Sequence, residues 1–242
     1  DYLDREYLSA FDKNDVDVKS DIGMQKSFSH VKEAEYKYAI TEDEQLSDNT
    51  YLSYNKVVGT SLDEKLYLAM QILDYVLVMA PGAKLKQALI DKNISTDIYS
   101  SFESSIYQPV YSIVAKNSEI SKKQDFVDTI NEVLESIVEN GIDERMVDAA
   151  INYYEFKYRE ADFGPYPKGL MYYLTMMDSW LYDDSKPFVH IEAGNTFEQI
   201  KKEKNNGLFE NIIKQYLLDN THGAVISLMP EYGLEEKIQN KE

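Results

Sequence analysis

Apolar and polar positions separate most sharply in the stretch Asn152 to Leu170, NYYEFKYREADFGPYPKGL, and in the residues leading into it. Wound at about 100° per residue, this segment puts Met146, Val147, Ala150, Ile151, Tyr154 and Tyr158 on one side of a helix. Arg145, Asp148, Asn152, Glu155 and Arg159 gather on the other. Glu155 precedes Arg159 by four residues, the orientation that stabilises an exposed helix by about 0.2–0.5 kcal/mol. Phe156 projects near the polar stripe, so its ring is expected to touch a neighbouring element. Gly164, Pro165 and Pro167 forbid continuation past Phe163. Gly164 and Gly169 are the corner positions that should tolerate alanine poorly if either sits at positive φ. From Lys168 to Tyr182 a second helix carries Leu170, Met171, Tyr173, Leu174, Met177, Trp180 and Leu181 at helical spacing, a stripe read as core.

The rest of the chain sets short strands, mostly in pairs, among amphipathic helices without regular alternation, which disfavours a doubly wound topology. Asp1 to Phe11 has Leu3, Tyr7, Leu8 and Phe11 at helical intervals, and a polar linker follows to Ser29. Glu35–Ile40 and Asn49–Val58 are rich in Tyr, Val and Thr around a turn-prone EDEQLSD, which predicts a pair of antiparallel strands. Ser61 and Glu64 have capping-box spacing ahead of a helix that reaches Met79. Pro81-Gly82 breaks it, and Lys84–Asp91 is a short amphipathic helix. Ile98–Phe102 and Val110–Ala115 read as strands. Ser121 and Gln124 repeat the capping spacing before a helix striped by Phe126, Ile130, Val133, Leu134, Ile137 and Val138 and ended by Gly141. Phe197–Glu203, then a helix through Leu208, Phe209, Ile212, Ile213, Tyr216 and Leu217, lead to a last strand, Ala224–Met229. This order predicts an α+β fold, an antiparallel sheet with helices packed on one face.

The chain's 242 residues suffice for one large domain and a sizeable core. Its 43 acidic against 25 basic residues give a net charge of −18. That excludes a basic footprint for nucleic acid; the surplus either attracts basic peptides or serves solubility alone. Cysteine is absent, which removes disulfides, thiolate metal sites and thiol nucleophiles. The most apolar run, Tyr75 to Ala83, is too short to cross a bilayer, so no membrane partner is expected. The chain opens on Asp1 in helix-like sequence, and the expectation is a piece of a longer protein.

Candidate chemistry is sparse. His30, His190 and His222 are far apart in sequence and belong to no H-x-x-E-H or H-E-x-x-H helix, so each reads as a surface or structural histidine. Phosphate-binding glycine motifs and G-x-S-x-G are missing as well. Asp12–Asp17 imitates a calcium loop but lacks its glycine, and is rejected. Glu42, Asp43, Glu44 and Asp48 read as a solvated loop, and Asp183-Asp184 likewise.

Four stretches in order, APGAKLKQALIDKNI, GIDERMVDAA, NYYEFKYREADFGPYPKGL and DNTHGAVISLMPE, resemble the presequence-protease branch of the insulinase/pitrilysin zinc endopeptidases. The resemblance is to the second, noncatalytic domain of the N-terminal half. It implies a clam-shell peptidase that degrades unfolded peptides, with zinc and general base on the preceding domain. Residues 1–32 would be the end of that domain and a linker, 33–232 the noncatalytic domain, and 233–242 the start of a connecting helical segment. No catalytic or metal residue carries over, and no cofactor is expected in this chain, zinc belonging to the parent protein. Asn152, Glu155, Phe156, Arg159, Gly164 and Gly169 are left as structural or interdomain candidates. Implied partners are the remaining domains of the same peptidase and peptide substrates, basic ones included. Two alternatives stand beside this reading: a self-standing acidic peptide-binding module, and a core-like structural subunit of a two-chain processing peptidase. The expected compartment is a bacterial cytoplasm, with an organellar matrix as the alternative.

Overall fold

The computed structural model describes residues 1–12 and 23–239. The calcium-like segment considered above falls largely on residues 13–22, outside the described ones. The elements in chain order are α1 (Tyr2–Glu6), β1 (Lys32–Ile40), β2 (Thr50–Val57), α2 (Glu64–Asp74, continued by a π turn over Tyr75–Met79), α3 (Lys84–Asp91), β3 (Asp97–Glu103) and β4 (Val110–Ser118). They continue with α4 (Lys123–Asn140), α5 (Glu144–Glu160), α6 (Lys168–Trp180), α7 (Gly194–Glu203), α8 (Leu208–Ile212, continued by a π turn over Ile213–Leu218), β5 (Gly223–Tyr232) and α9 (Leu234–Gln239). The predicted α+β class, with helices on one face of a sheet, is what forms.

The strands make one five-stranded sheet in the order β1-β5-β2-β4-β3. Here one expectation is corrected. β1 and β2 are not partners, because β5 lies between them, antiparallel to β2 and parallel to β1. The sheet is therefore mixed, with its single parallel pair at the edge. The remaining ladders, β2 with β4 and β3 with β4, are antiparallel. Residues 41–49 are long enough to step across a strand, so their turn-like composition did not require a hairpin.

Side chains alternate across each strand. Leu52, Tyr54, Tyr111, Ile113, Ala115 and Val225 point to the covered face, where helices bury them. One core joins them to Leu68, Ile72 and Leu73 of α2, to Phe126, Ile130 and Leu134 of α4, and to Phe209 of α8. An 18-residue window within Glu64–Asp91 is apolar enough to span a bilayer, at mean hydropathy 1.4, but 72% of it is buried in this core. On the same covered face of β2, Lys56 is buried and its Nζ donates to Asn220 O at 2.5 Å. Burial pushes its pKa down to about 8, because desolvation disfavours the ammonium.

Neither predicted capping box forms. The first helix starts at Glu64, and Asp63 is its cap, accepting from Leu66 N at 3.0 Å. Ser61 is fully buried, and the Glu64 carboxylate accepts instead from Thr196 Oγ1 on α7. Ahead of α4, Ile120–Lys122 form a 3-10 turn, and Gln124 spends its amide on Asp128 at 2.8 Å. Tertiary partners outcompete the local motif in the first case and a tight turn displaces the helix start in the second.

Candidate functional site

Helix α5 begins at Asp143, whose Oδ1 accepts from Arg145 N and Met146 N. Val147, Ala150, Ile151 and Tyr154 are buried, as the periodicity required. On the polar side, Arg159 Nη2 donates to Glu155 at 2.6 Å, and Lys201 of α7 reaches the other carboxylate oxygen at 2.9 Å. Lys201, then Arg159, holds the Glu155 carboxyl below the usual carboxylate range. This is a helix-to-helix clasp, and an exposed pair of this kind contributes at most about 1 kcal/mol. Asn152 lies in solvent beside it.

The helix ends at Ala161, which takes the left-handed conformation at φ 46°. Gly164 follows at φ 58°, with its N–H donating to Asp162 Oδ1 at 2.9 Å. Gly164 thus sits where a glycine is needed. Gly169 does not: it lies in the first turn of α6, away from the left-handed region, and a Cβ there would meet nothing within 4 Å.

Two further expectations are overturned. Phe156 is 66% exposed, so its ring is not buried against a neighbouring element. The α6 stripe is not core either. Leu170, Tyr173 and Leu174 are each 49% exposed and Leu181 is 63% exposed, while Ser179 is the buried residue of the helix. Periodicity reported an apolar face correctly and could not report what covers it. The apolar residues of α1 and the turn after it, Leu3, Tyr7, Leu8 and Phe11, are exposed as well. A soluble surface rarely leaves so much large apolar side chain uncovered unless something docks on it.

Residues that sequence reasoning passed over meet between α2, α5 and α6, around a cavity of about 360 Å³. His190 stacks on Tyr67 with ring centroids 3.8 Å apart, and its Nε2–H donates to Ser61 O at 2.7 Å. Burial pushes its pKa down to about 4. Tyr67 donates to Asp178 Oδ2 at 2.9 Å, and burial lifts the Asp178 carboxyl to about 6. Asp74, a carboxylate inside the most apolar helix, lines the floor with its pKa raised by burial. Its isolation in an apolar run was the one available signal. Of the other two histidines, His222 packs edge-on against Phe28 and His30 lies at the surface beside Ser29.

Among the described residues no three His, Asp or Glu side chains converge as a metal set requires. The candidate residues of α5 and the corner assemble no nucleophile and base either. What they assemble is a surface.

Similarity to known proteins accords with a surface of that kind. Residues 2–154 match the family described as the peptidase M16 inactive domain. The chain is 40% identical over 237 residues to Protein HypA of Clostridium perfringens, covering 98% of this chain and 24% of that protein. It is 27% identical over 244 residues to presequence protease 1, chloroplastic/mitochondrial, of Arabidopsis thaliana, covering 98% of this chain and 22% of that protein. It therefore spans about a quarter of the length of these relatives. A solved inactive peptidase domain from Bordetella parapertussis superposes with a TM-score of 0.62 at 9% identity, over 76% of this chain and 91% of that one, a likeness of fold. With the inactive-domain match spanning most of its length, the chain belongs to the peptidase M16 family, as a member of its inactive-domain group.

Proposed function

We propose that this chain is a noncatalytic wall and scaffold domain of a longer zinc endopeptidase that degrades unfolded peptides. The observation that carries the reading is the uncovered apolar face of α6, joined by Phe156 and by the exposed residues of the N-terminal turn. A domain built to stand alone would bury such a face. A domain that packs against others of the same polypeptide exposes it once separated from them. In this reading residues 1–32 lead out of a zinc-bearing domain, 33–232 form the wall, and 233–242 lead on toward the second half. The net charge of −18 then favours basic peptides in the chamber. Zinc supplies the hydrolytic chemistry on the neighbouring domain, and this chain's residues position and enclose.

The test is a pair of substitutions, Leu170→Glu with Leu174→Glu, in the full product of the open reading frame. Peptide hydrolysis is expected to fall at least about tenfold, since burying two carboxylates in a docking face costs several kcal/mol. Bound zinc should stay unchanged. Undiminished hydrolysis in that variant means the face docks nothing, and the reading is lost.

A further inference from the structure

The cavity between α2, α5 and α6 has a composition that the wall role does not require. Tyr67, Phe102, Tyr154, Tyr158, Phe163 and Tyr172 supply its aromatic walls. Its floor is polar and unsatisfied. Asp74 is 6% exposed and its Oδ1 has no hydrogen-bond partner. His190 is 2% exposed, and its Nδ1 has none either. Because Nε2–H is committed to Ser61 O, Nδ1 carries the lone pair and can only accept. The hydroxyls of Ser100 and Tyr111 face the Asp74 carboxyl yet close no bond of normal geometry with it. Those two hydroxyls are donors with no other partner and act on Asp74 as hydrogen bonds do, so the acceptor left without a donor is His190 Nδ1, an orphan that costs about 1–3 kcal/mol until it finds one.

A guanidinium group suits a lone acceptor beside a buried carboxyl within aromatic walls. It is planar, carries five N–H donors and no acceptor, sheds water more readily than an ammonium, and stacks on aromatic faces. A neutral aliphatic ligand would leave the floor unpaired, and an anion would meet Asp74. Lys157 stands at the exposed mouth, where its flexible amine can turn to solvent, whereas Asp74 is fixed below. A volume of about 360 Å³ admits an arginine side chain. We propose that this aromatic cavity is a binding site for a guanidinium group, the side chain of an arginine. That the arginine belongs to a peptide rests on the chamber-wall reading; the cation site itself does not.

The probe is N-acetyl-arginine amide, with N-acetyl-citrulline amide as its neutral isostere, each titrated into the zinc-free chain and followed by NMR shift changes. The arginine amide is expected to bind at least about tenfold more tightly than the citrulline amide, the scale of one desolvated cation–π and charge contact. Tyr172→Ala, on a half-exposed wall residue, and Asp74→Asn should each weaken it about fivefold or more while thermal melting stays cooperative. If Asp74→Asn does not fold, Tyr172→Ala decides. Equal affinity for the two amides, no binding of either, or a Tyr172→Ala variant indistinguishable from the parent overturns the site and leaves ordered water as its filler. No hydrolysis is read, so this outcome is independent of the Leu170 and Leu174 test.

Discussion

Replacing Lys56 by methionine isolates the electrostatic cost of the sheet's covered face. Lys56 is buried on β2 and has its pKa pushed from 10.5 down to about 8 by desolvation. At about 1.4 kcal/mol per tenfold change in proton affinity, the folded state disfavours the charged lysine by about 3 kcal/mol. Below pH 8 both folded and unfolded chains hold the proton, and the penalty is fully in force. Between pH 8 and 10.5 the folded chain has released it while the unfolded chain keeps it, so stability rises with pH. Integrated from pH 8 to pH 10, the gain is about 2 kcal/mol. Above pH 10 buried tyrosines oppose it: burial raises the pKa of Tyr54, Tyr67 and Tyr154, so they ionise first in the unfolded chain and stability falls. The Lys56→Met variant keeps those tyrosines and cancels them. At pH 7 the two proteins should differ little, since methionine removes the buried charge but leaves Asn220 O without its donor, a cost of about 1–3 kcal/mol. Urea unfolding at pH 7, 8, 9 and 10 is the assay. The wild type should gain about 2 kcal/mol on the variant across pH 8 to 10. Parallel profiles refute the reasoning and place the ammonium in contact with water.

Other changes separate backbone from surface effects. Gly223→Ala should be severe, because a Cβ there would lie 2.2 Å from Asn55 O on β2; a loss of about 3 kcal/mol or more is expected in chemical unfolding. Gly164→Ala, at φ 58°, should cost about 1–2 kcal/mol, whereas Gly169→Ala, helical and unobstructed, should be neutral or stabilise by up to about 1 kcal/mol. Melting of the two single variants side by side checks the contrast. Phe156→Ala should change stability by no more than about 0.5 kcal/mol in the separate chain, because the ring is exposed. Acid should act through His190 and Asp178 in opposite senses. The unfolded His190 takes up its proton near pH 6.5 and the folded one at about 4, so stability is lost as pH falls through that window. The folded Asp178 protonates at about 6 and the unfolded at 3.8, so stability rises as pH falls between them. Removing the second effect with Asp178→Asn should make the protein more acid-sensitive from pH 6 to 4 by urea unfolding.

Strand positions were legible because their pattern is local. TYLSYNKV is rich in Tyr, Thr and Val, and β2 forms where that composition lies, with burial alternating along it. Strand neighbours were not, since nothing in the 41–49 connection states whether a third strand enters between β1 and β2. The helices followed their periodicity, yet their starts did not follow the capping spacing, because Glu64 found Thr196 and left the cap to Asp63. The apolar face of α6 was read correctly as a face and wrongly as core. A single chain's sequence encodes that a surface wants burial without encoding which chain or domain buries it. The aromatic cavity was the least visible feature, because Tyr67, Asp74, Tyr172 and His190 converge from separate helices and one loop and share no motif.

The central claim, that this chain is wall while the hydrolytic metal lies on a neighbouring domain, is tested most directly by counting bound zinc and following cleavage of an unfolded peptide in two proteins. One is the 242-residue chain, and the other is the whole product of its open reading frame. The account predicts that the whole product retains zinc after dialysis and cleaves the peptide, while the chain retains none and cleaves nothing. Zinc-dependent cleavage by the 242 residues alone would contradict it.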